Sequence, residues 1–376
     1  MVNRCLRNRG KIPPPAFGLR GGLAQPFDRR RGWSMDDLCL PPMRRSGPRP
    51  AISPALMVVA LALGLLALPC AAQAQSAGKV PRVGWVAMGP ESPSTLAFLE
   101  AFRQGMRERG WVEGRNLAIE ARWGARDQAR DLVAELNRLK VDVIVAVGPM
   151  VFGAKAAAGT TAVVFGFSGD PVEAKLVTSL ARPGANLTGI TFLSYELVHK
   201  RLELLKEALP GLTRVAVLAN VMHPGEQTEL RESQAAARRL GITLQYVPVR
   251  AVDDFPAAFE AIVNERAQAV VAFPDVLIMS QAKNIAAFAA KSRIPTISGW
   301  AEFAAAGNLM TYGPNLRESW RYMATYVDKV LKGARPGDIP VEQASKFEFV
   351  INMRTAKALG ITIPPSLQVR ADQIVD

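Results

Sequence analysis

The chain has 376 residues, with 46 Lys+Arg against 33 Asp+Glu and a formal charge of +13. Residues 1–74 hold 11 of the basic and 3 of the acidic residues, so the remainder carries 35 and 30 and a net charge of only +5. A surplus that small, with no Lys/Arg run, excludes a nucleic-acid footprint. All three cysteines (Cys5, Cys39, Cys70) fall in the same 74 residues, so the rest has no disulfide, thiol nucleophile or cysteine-zinc site.

Residues 1–42 are rich in Arg, Pro and Gly without periodicity, and read as a disordered extension or an over-long reading frame upstream of Met43. From Met43 the pattern is that of a secretory signal peptide. A basic stretch (Arg44, Arg45, Arg49) precedes 14 apolar residues, Ala55 to Leu68, and Ala72-Gln73-Ala74 supplies a small-x-small cleavage site. A membrane anchor or a lipid on Cys70 are the alternatives. The apolar run is shorter than the roughly 20 residues a bilayer span needs, and Pro69 fits a lipidation box poorly. Export with cysteine-free sequence points to a bacterial periplasm.

Beyond residue 79, short β-branched runs alternate with amphipathic stretches. Strands are predicted at 82–87, 117–123, 141–147, 162–167 and 187–191. Helices are predicted at 94–109, 127–139 and 149–158, with a further one at 172–180 after Ser168-Gly169-Asp170. The series then restarts. Helix 198–209 leads to strand 214–219, and RVAVLA there echoes RVGWVA at 82–87. Helices follow at 225–240, 255–265 and 277–291, and strands at 243–247, 269–273 and 296–298. Last come a strand at 309–312, a helix at 316–332 and a strand near 347–351. Two βαβα series imply an α/β protein of two doubly wound parallel-sheet lobes with a ligand cleft between them. Helix 316–332 has no sheet of its own and is expected to cross back. The expected division is 80–192 with 314–340, and 193–313 with 341–365.

Open α/β sheets bind ligands at the carboxyl ends of their strands, so the loops there are the candidate site. In the first lobe they hold Met88, Ser92, Gly148, Pro149, Met150, Phe167, Ser168 and Asp170. In the second they hold Asn220, His223, Asp275 and Trp300, with Tyr195 and Tyr312 close to strand ends. Backbone amides at 148–150 and 168–169 suit a carboxylate. Asp170 can meet an ammonium group or cap its own helix, and the aromatics can stack on an organic solute or pack in the core.

Catalytic patterns are missing. The sequence has no P-loop, no GxGxxG after a strand and no G-x-S-x-G elbow. Two separated histidines, His199 and His223, support neither a metal site nor an acid–base pair. No catalytic residue, metal ligand or cofactor is therefore assigned.

The stretch SGDPVEAKLVTSLARPGANLTG, Ser168 to Gly189, resembles the signature of ABC-transporter substrate-binding proteins of the tryptophan/tyrosine-transport type. FLEAFRQGMRERGWVEGRN (98–116), KRLELLK (200–206), NLMTYGP (308–314) and the run from Tyr326 to Asp372 resemble it too. The likeness spans roughly residues 80–376. It implies a type I periplasmic-binding fold with three hinge crossings, an amino acid or aromatic carboxylate as ligand, an ABC permease of the inner membrane as partner, and a monomer. Two departures stand out. Ala185 replaces a frequent glycine, with little consequence expected, and the loop VMHPG from Val221 replaces the usual Asn-Pro start. A ligand sensor for a membrane signalling partner, or a secreted α/β enzyme acting on a small carboxylate, are the competing functions.

Overall fold

The computed structural model describes residues 79–192 and 194–376. The expected signal peptide and the extension before it lie outside the described residues. The chain runs β1 (Arg82–Met88), α1 (Pro93–Glu108), β2 (Ala118–Gly124), α2 (Ala129–Arg138), β3 (Val143–Val147), α3 (Met150–Ala157), β4 (Ala162–Phe167) and β5 (Leu187–Thr191). It continues α4 (Val198–Ala208), β6 (Arg214–Asn220), α5 (Glu226–Leu240), β7 (Thr243–Val249), α6 (Phe255–Asn264), β8 (Ala269–Ala272), α7 (Val276–Ser280), α8 (Ala282–Ser292) and β9 (Thr296–Ser298). It ends α9 (Ala301–Ala305), β10 (Met310–Pro314), α10 (Leu316–Leu331), β11 (Glu342–Gln343), β12 (Phe347–Asn352), α11 (Met353–Leu359), α12 (Pro365–Arg370) and β13 (Gln373–Val375).

Two sheets result, in the orders β11-β5-β4-β3-β1-β2 and β13-β12-β10-β9-β8-β6-β7. Every pairing is parallel except β10 with β12. Strands β3, β4 and β6 are nearly continuous apolar runs because both faces are covered. In β1 the alternation sorts side chains between two layers. Val83, Trp85 and Ala87 join the core under α1 and α10, whereas Val86 joins the core under α2 and α3. Helix α10 packs on the first sheet through Leu316, Trp320, Met323 and Val327. The approach to α1 is close because Gly105 has no side chain; a Cβ there would lie 2.0 Å from the Arg321 carbonyl oxygen.

The chain passes between sheets three times: β5 to α4, β10 to α10, and β11 to β12. The last two passages are tied together. Asn315 N–H donates to the Lys346 carbonyl at 3.0 Å, its Nδ2 donates to Glu348 at 2.9 Å, and its Oδ1 caps α10 at the Glu318 N–H.

The structure departs from the expected division at the third passage. Residues 342–343 extend the first sheet beside β5, so the return crossing comes after them rather than at 340–341. Residues 373–375, beyond the expected limit of 365, pair with β12 in the second sheet. The helix expected at 172–180 is a series of turns. Lys175 there adopts φ +55, which ends any helical run. Helix 277–291 is two helices that meet at Gln281. Ala185 takes φ +51, a region that disfavours any residue with a Cβ, so the missing glycine does have a cost.

Candidate ligand-binding site

The carboxyl ends of the two sheets meet, and four of the sequence-derived residues form one chain of contacts. Asn220 ends β6, and its carbonyl accepts the His223 N–H at 2.9 Å. Asn220 Nδ2 donates to Asp275 Oδ1 at 2.9 Å, and the same oxygen caps α7 by accepting the Leu277 N–H at 2.7 Å. Across the lobes, Ser168 Oγ lies 2.5 Å from His223 Nε2. All four side chains are buried.

His223 Nδ1 accepts the Gly225 N–H at 3.2 Å. That bond assigns the ring proton to Nε2, which then donates to Ser168 Oγ. The pair is thus oriented opposite to a nucleophile and its base, where the imidazole must accept the hydroxyl proton. Burial holds the imidazole below its ordinary range, with Arg126 acting in the same direction and the carboxylates of Asp275 and Glu226 against it.

Beneath this wall lies a buried ion pair that sequence reasoning missed. Arg201 of α4 donates to Glu229 of α5 at 2.8 Å, and its Nε donates to the Tyr312 carbonyl at 2.9 Å. Burial pushes the Glu229 carboxyl up to about 7, more than Arg201 offsets. The signal was present: Val198, Arg201, Leu202 and Leu205 share one helical face, which places a cation on the buried stripe.

Beside it lies an aromatic cluster that draws on both lobes. Trp300 follows β9 of the second sheet, yet its side chain belongs to the first lobe's core with Trp85, Phe102, Phe192 and Trp320, against which Phe98 packs. Trp85 and Trp320 meet edge to face at 5.3 Å between centroids, Phe192 and Trp320 at 6.3 Å. The indole N–H groups of Trp85, Trp300 and Trp320 are buried without a hydrogen-bond partner. Of these residues only Trp300 was legible as a site candidate. The others sit inside a strand or helix or, for Phe192, one residue past a strand, where an aromatic reads as core.

The remaining candidates divide. Phe167 is a core residue, packed edge to face on Phe152 at 5.8 Å, not a ring open to a ligand. Met150 is fully buried in the same core, and Met88 packs against it. The Gly148 N–H is already given to the Gly166 carbonyl at 2.8 Å, and Pro149 has none, so the proposed amide set at 148–150 reduces to Met150. Ser92 caps α1, reciprocally with Thr95. Asp170 Oδ1 accepts the N–H groups of Val172 and Glu173 at 2.7 and 3.1 Å, capping a turn rather than a helix. Tyr312 packs on the second lobe's core and stacks on Phe347 at 6.4 Å. Tyr195 lies by Asp170; burial, then that carboxylate, pushes its phenol up to about 12. Both histidines were weighed from sequence, and the structure separates them, with His199 exposed on α4.

Residues 86–375 match the ABC transporter substrate binding protein family. The chain belongs to that family. The tyrosine-binding protein of Clostridioides difficile is 25% identical over 274 residues, 72% of this chain and 79% of its own. A conserved domain protein from Vibrio cholerae is 27% identical with a TM-score of 0.74, covering 79% of this chain and 100% of its own. An ABC domain in complex with L-Trp from Streptococcus pneumonia is 23% identical with a TM-score of 0.73, covering 78% and 99%. The two parallel-sheet lobes are thus those of a substrate-binding family.

Proposed function

We propose that the protein is the periplasmic receptor of an ABC importer, exported by the signal sequence at 43–74, and that it delivers an aromatic amino acid or aromatic carboxylate to an inner-membrane permease. It acts as a monomer and without chemistry on the solute. The single observation that carries the ligand class is the placement of Trp300. A second-lobe indole buried among first-lobe aromatics, together with a buried polar wall of Ser168, Asn220, His223 and Asp275, gives the meeting of the lobes one apolar and one polar side. A planar apolar solute with a charged head matches that division. Stacked or edge-to-face rings add about 0.5–1.5 kcal/mol beyond area burial, and an unpartnered indole N–H offers a donor to a polar ring substituent.

Closure supplies the mechanism. Contacts made only when the lobes meet favour the closed form, and a solute that touches both lobes shifts the population toward it. The orientation of the Ser168–His223 pair supports holding rather than reaction. The relatives named for tyrosine and tryptophan support the same ligand class. A thermal-shift panel of amino acids and aromatic acids on the purified protein tests it. A true ligand at 100 times its dissociation constant should add about 2.7 kcal/mol. Stabilisation by aliphatic amino acids alone would refute the aromatic assignment.

A further inference from the structure

Three side-chain contacts join the lobes along one rim of the cleft, and all come from one short second-lobe segment, Met222 to Thr228. The Met222 carbonyl accepts from Arg126 Nη1 at 2.9 Å. His223 meets Ser168 as described. Thr228 Oγ1 donates to the Glu173 carboxylate at 3.1 Å. Between them the backbones touch: a Cβ built on Gly225 would lie 3.2 Å from the Gly169 Cα.

The histidine is the one member of this rim whose protonation changes both of its bonds. In the neutral ring Nδ1 accepts from Gly225 and Nε2–H donates to Ser168. A second proton must go to Nδ1, where it faces the Gly225 N–H and ends that bond. It also places a full charge on a side chain that is 8% exposed, a costly burial for an ion without a carboxylate partner at either nitrogen. We propose that Met222–Thr228 is a proton-sensitive clasp, in which neutral His223 holds the lobes closed through Ser168 and protonation of His223 releases them, weakening the grip on the solute as pH falls. The proposal rests on the receptor reading, in that release of solute follows opening.

The charged groups around the ring have opposed effects. Glu226, at the start of α5, and Asp275, before α7, lie in the second lobe and favour the imidazolium. Arg126 lies in the first lobe and disfavours it. Burial dominates and keeps the ring neutral in the closed form. Opening exposes the ring and removes Arg126, so the imidazole rises towards its ordinary value of about 6.5. The closed form therefore binds fewer protons than the open form. Closure is fully favoured above about pH 6.5, and its equilibrium constant falls by up to about tenfold per pH unit below that, until the closed form also takes up the proton.

Small-angle scattering of the ligand-free protein at pH 5 and pH 8 tests the clasp without a ligand. The wild type should show a smaller radius of gyration at pH 8 than at pH 5. His223→Gln, which keeps a donor near the Nε2 position and does not titrate in this range, should show one radius at both values. Ser168→Ala should be more expanded than the wild type at pH 8. A wild-type radius independent of pH, or a pH response that survives in His223→Gln, overturns the proposal. The same samples at pH 8 are then screened with L-tyrosine and L-tryptophan. No stabilisation by either, alongside the expected scattering, refutes the aromatic ligand and leaves the clasp standing. Where L-tyrosine or L-tryptophan does bind, wild-type affinity should weaken as pH falls below 6.5, by up to about tenfold per pH unit.

Discussion

The aromatic cluster and the polar wall where the lobes meet are built on opposite principles. At one end Trp85, Phe98, Phe192, Trp300 and Trp320 pool apolar surface from both lobes, and their contacts are non-directional and strong through area. At the other end Ser168, His223, Arg126, Glu173 and Thr228 meet by directed hydrogen bonds, each worth about 0.5–1.5 kcal/mol net. The difference separates affinity from control. On the proposed reading the aromatic end would supply binding energy to a solute ring, while the polar end would set whether the lobes are closed, because its bonds vanish with a small change in geometry or charge.

Substitutions sharpen that contrast, and the largest effect lies under the polar end. Arg201→Leu leaves Glu229 buried without its partner and should cost about 3–5 kcal/mol of stability in chemical denaturation; a loss under 1 kcal/mol would mean water reaches the pair. At the aromatic end, Trp300→Ala should weaken L-tyrosine or L-tryptophan binding by about 1–3 kcal/mol in calorimetry, the sum of a ring contact and a hydrogen bond. If the affinity holds, Trp300 only packs the first lobe's core. Ala185→Gly relieves a left-handed backbone remote from both ends and should stabilise the protein by about 1 kcal/mol with binding unchanged. Smallest is Asp170→Asn. Because Oδ1 caps a turn and Asn caps nearly as well, stability should shift by less than about 0.5 kcal/mol. An affinity loss above 1.5 kcal/mol would instead give Asp170 a ligand ammonium.

Much of the fold was legible because parallel strands buried on both faces read as continuous apolar runs. The strands at 162–167, 187–191 and 296–298 lie at the predicted positions. The segments that misled are those where local turn chemistry overrode periodicity. Residues 172–180 carry helix-compatible spacing, but Asp170 ties the chain into a turn and Lys175 goes left-handed. Strands of two or three residues, β11 and β13, are too short to show a period at all. In the candidate site, loop position pointed to Ser168, Asn220, His223 and Asp275, which the structure brings into one chain of contacts, since strand ends are fixed by topology. It misplaced Phe167, whose direction at a strand end depends on pleat parity, and Met150, whose first helical turn faces the core, and it gave no hint that Trp85 and Trp320 meet, because contact between a strand and a distant helix leaves no local trace.

Isothermal titration calorimetry of the purified protein at pH 8 with L-tyrosine, L-tryptophan and a benzoate-type acid tests the receptor reading most directly. The account predicts saturable binding of at least one of them at one site per chain, with the negative heat-capacity change of apolar burial. Heat from none of the three, or binding that persists undiminished in Trp300→Ala, would contradict it.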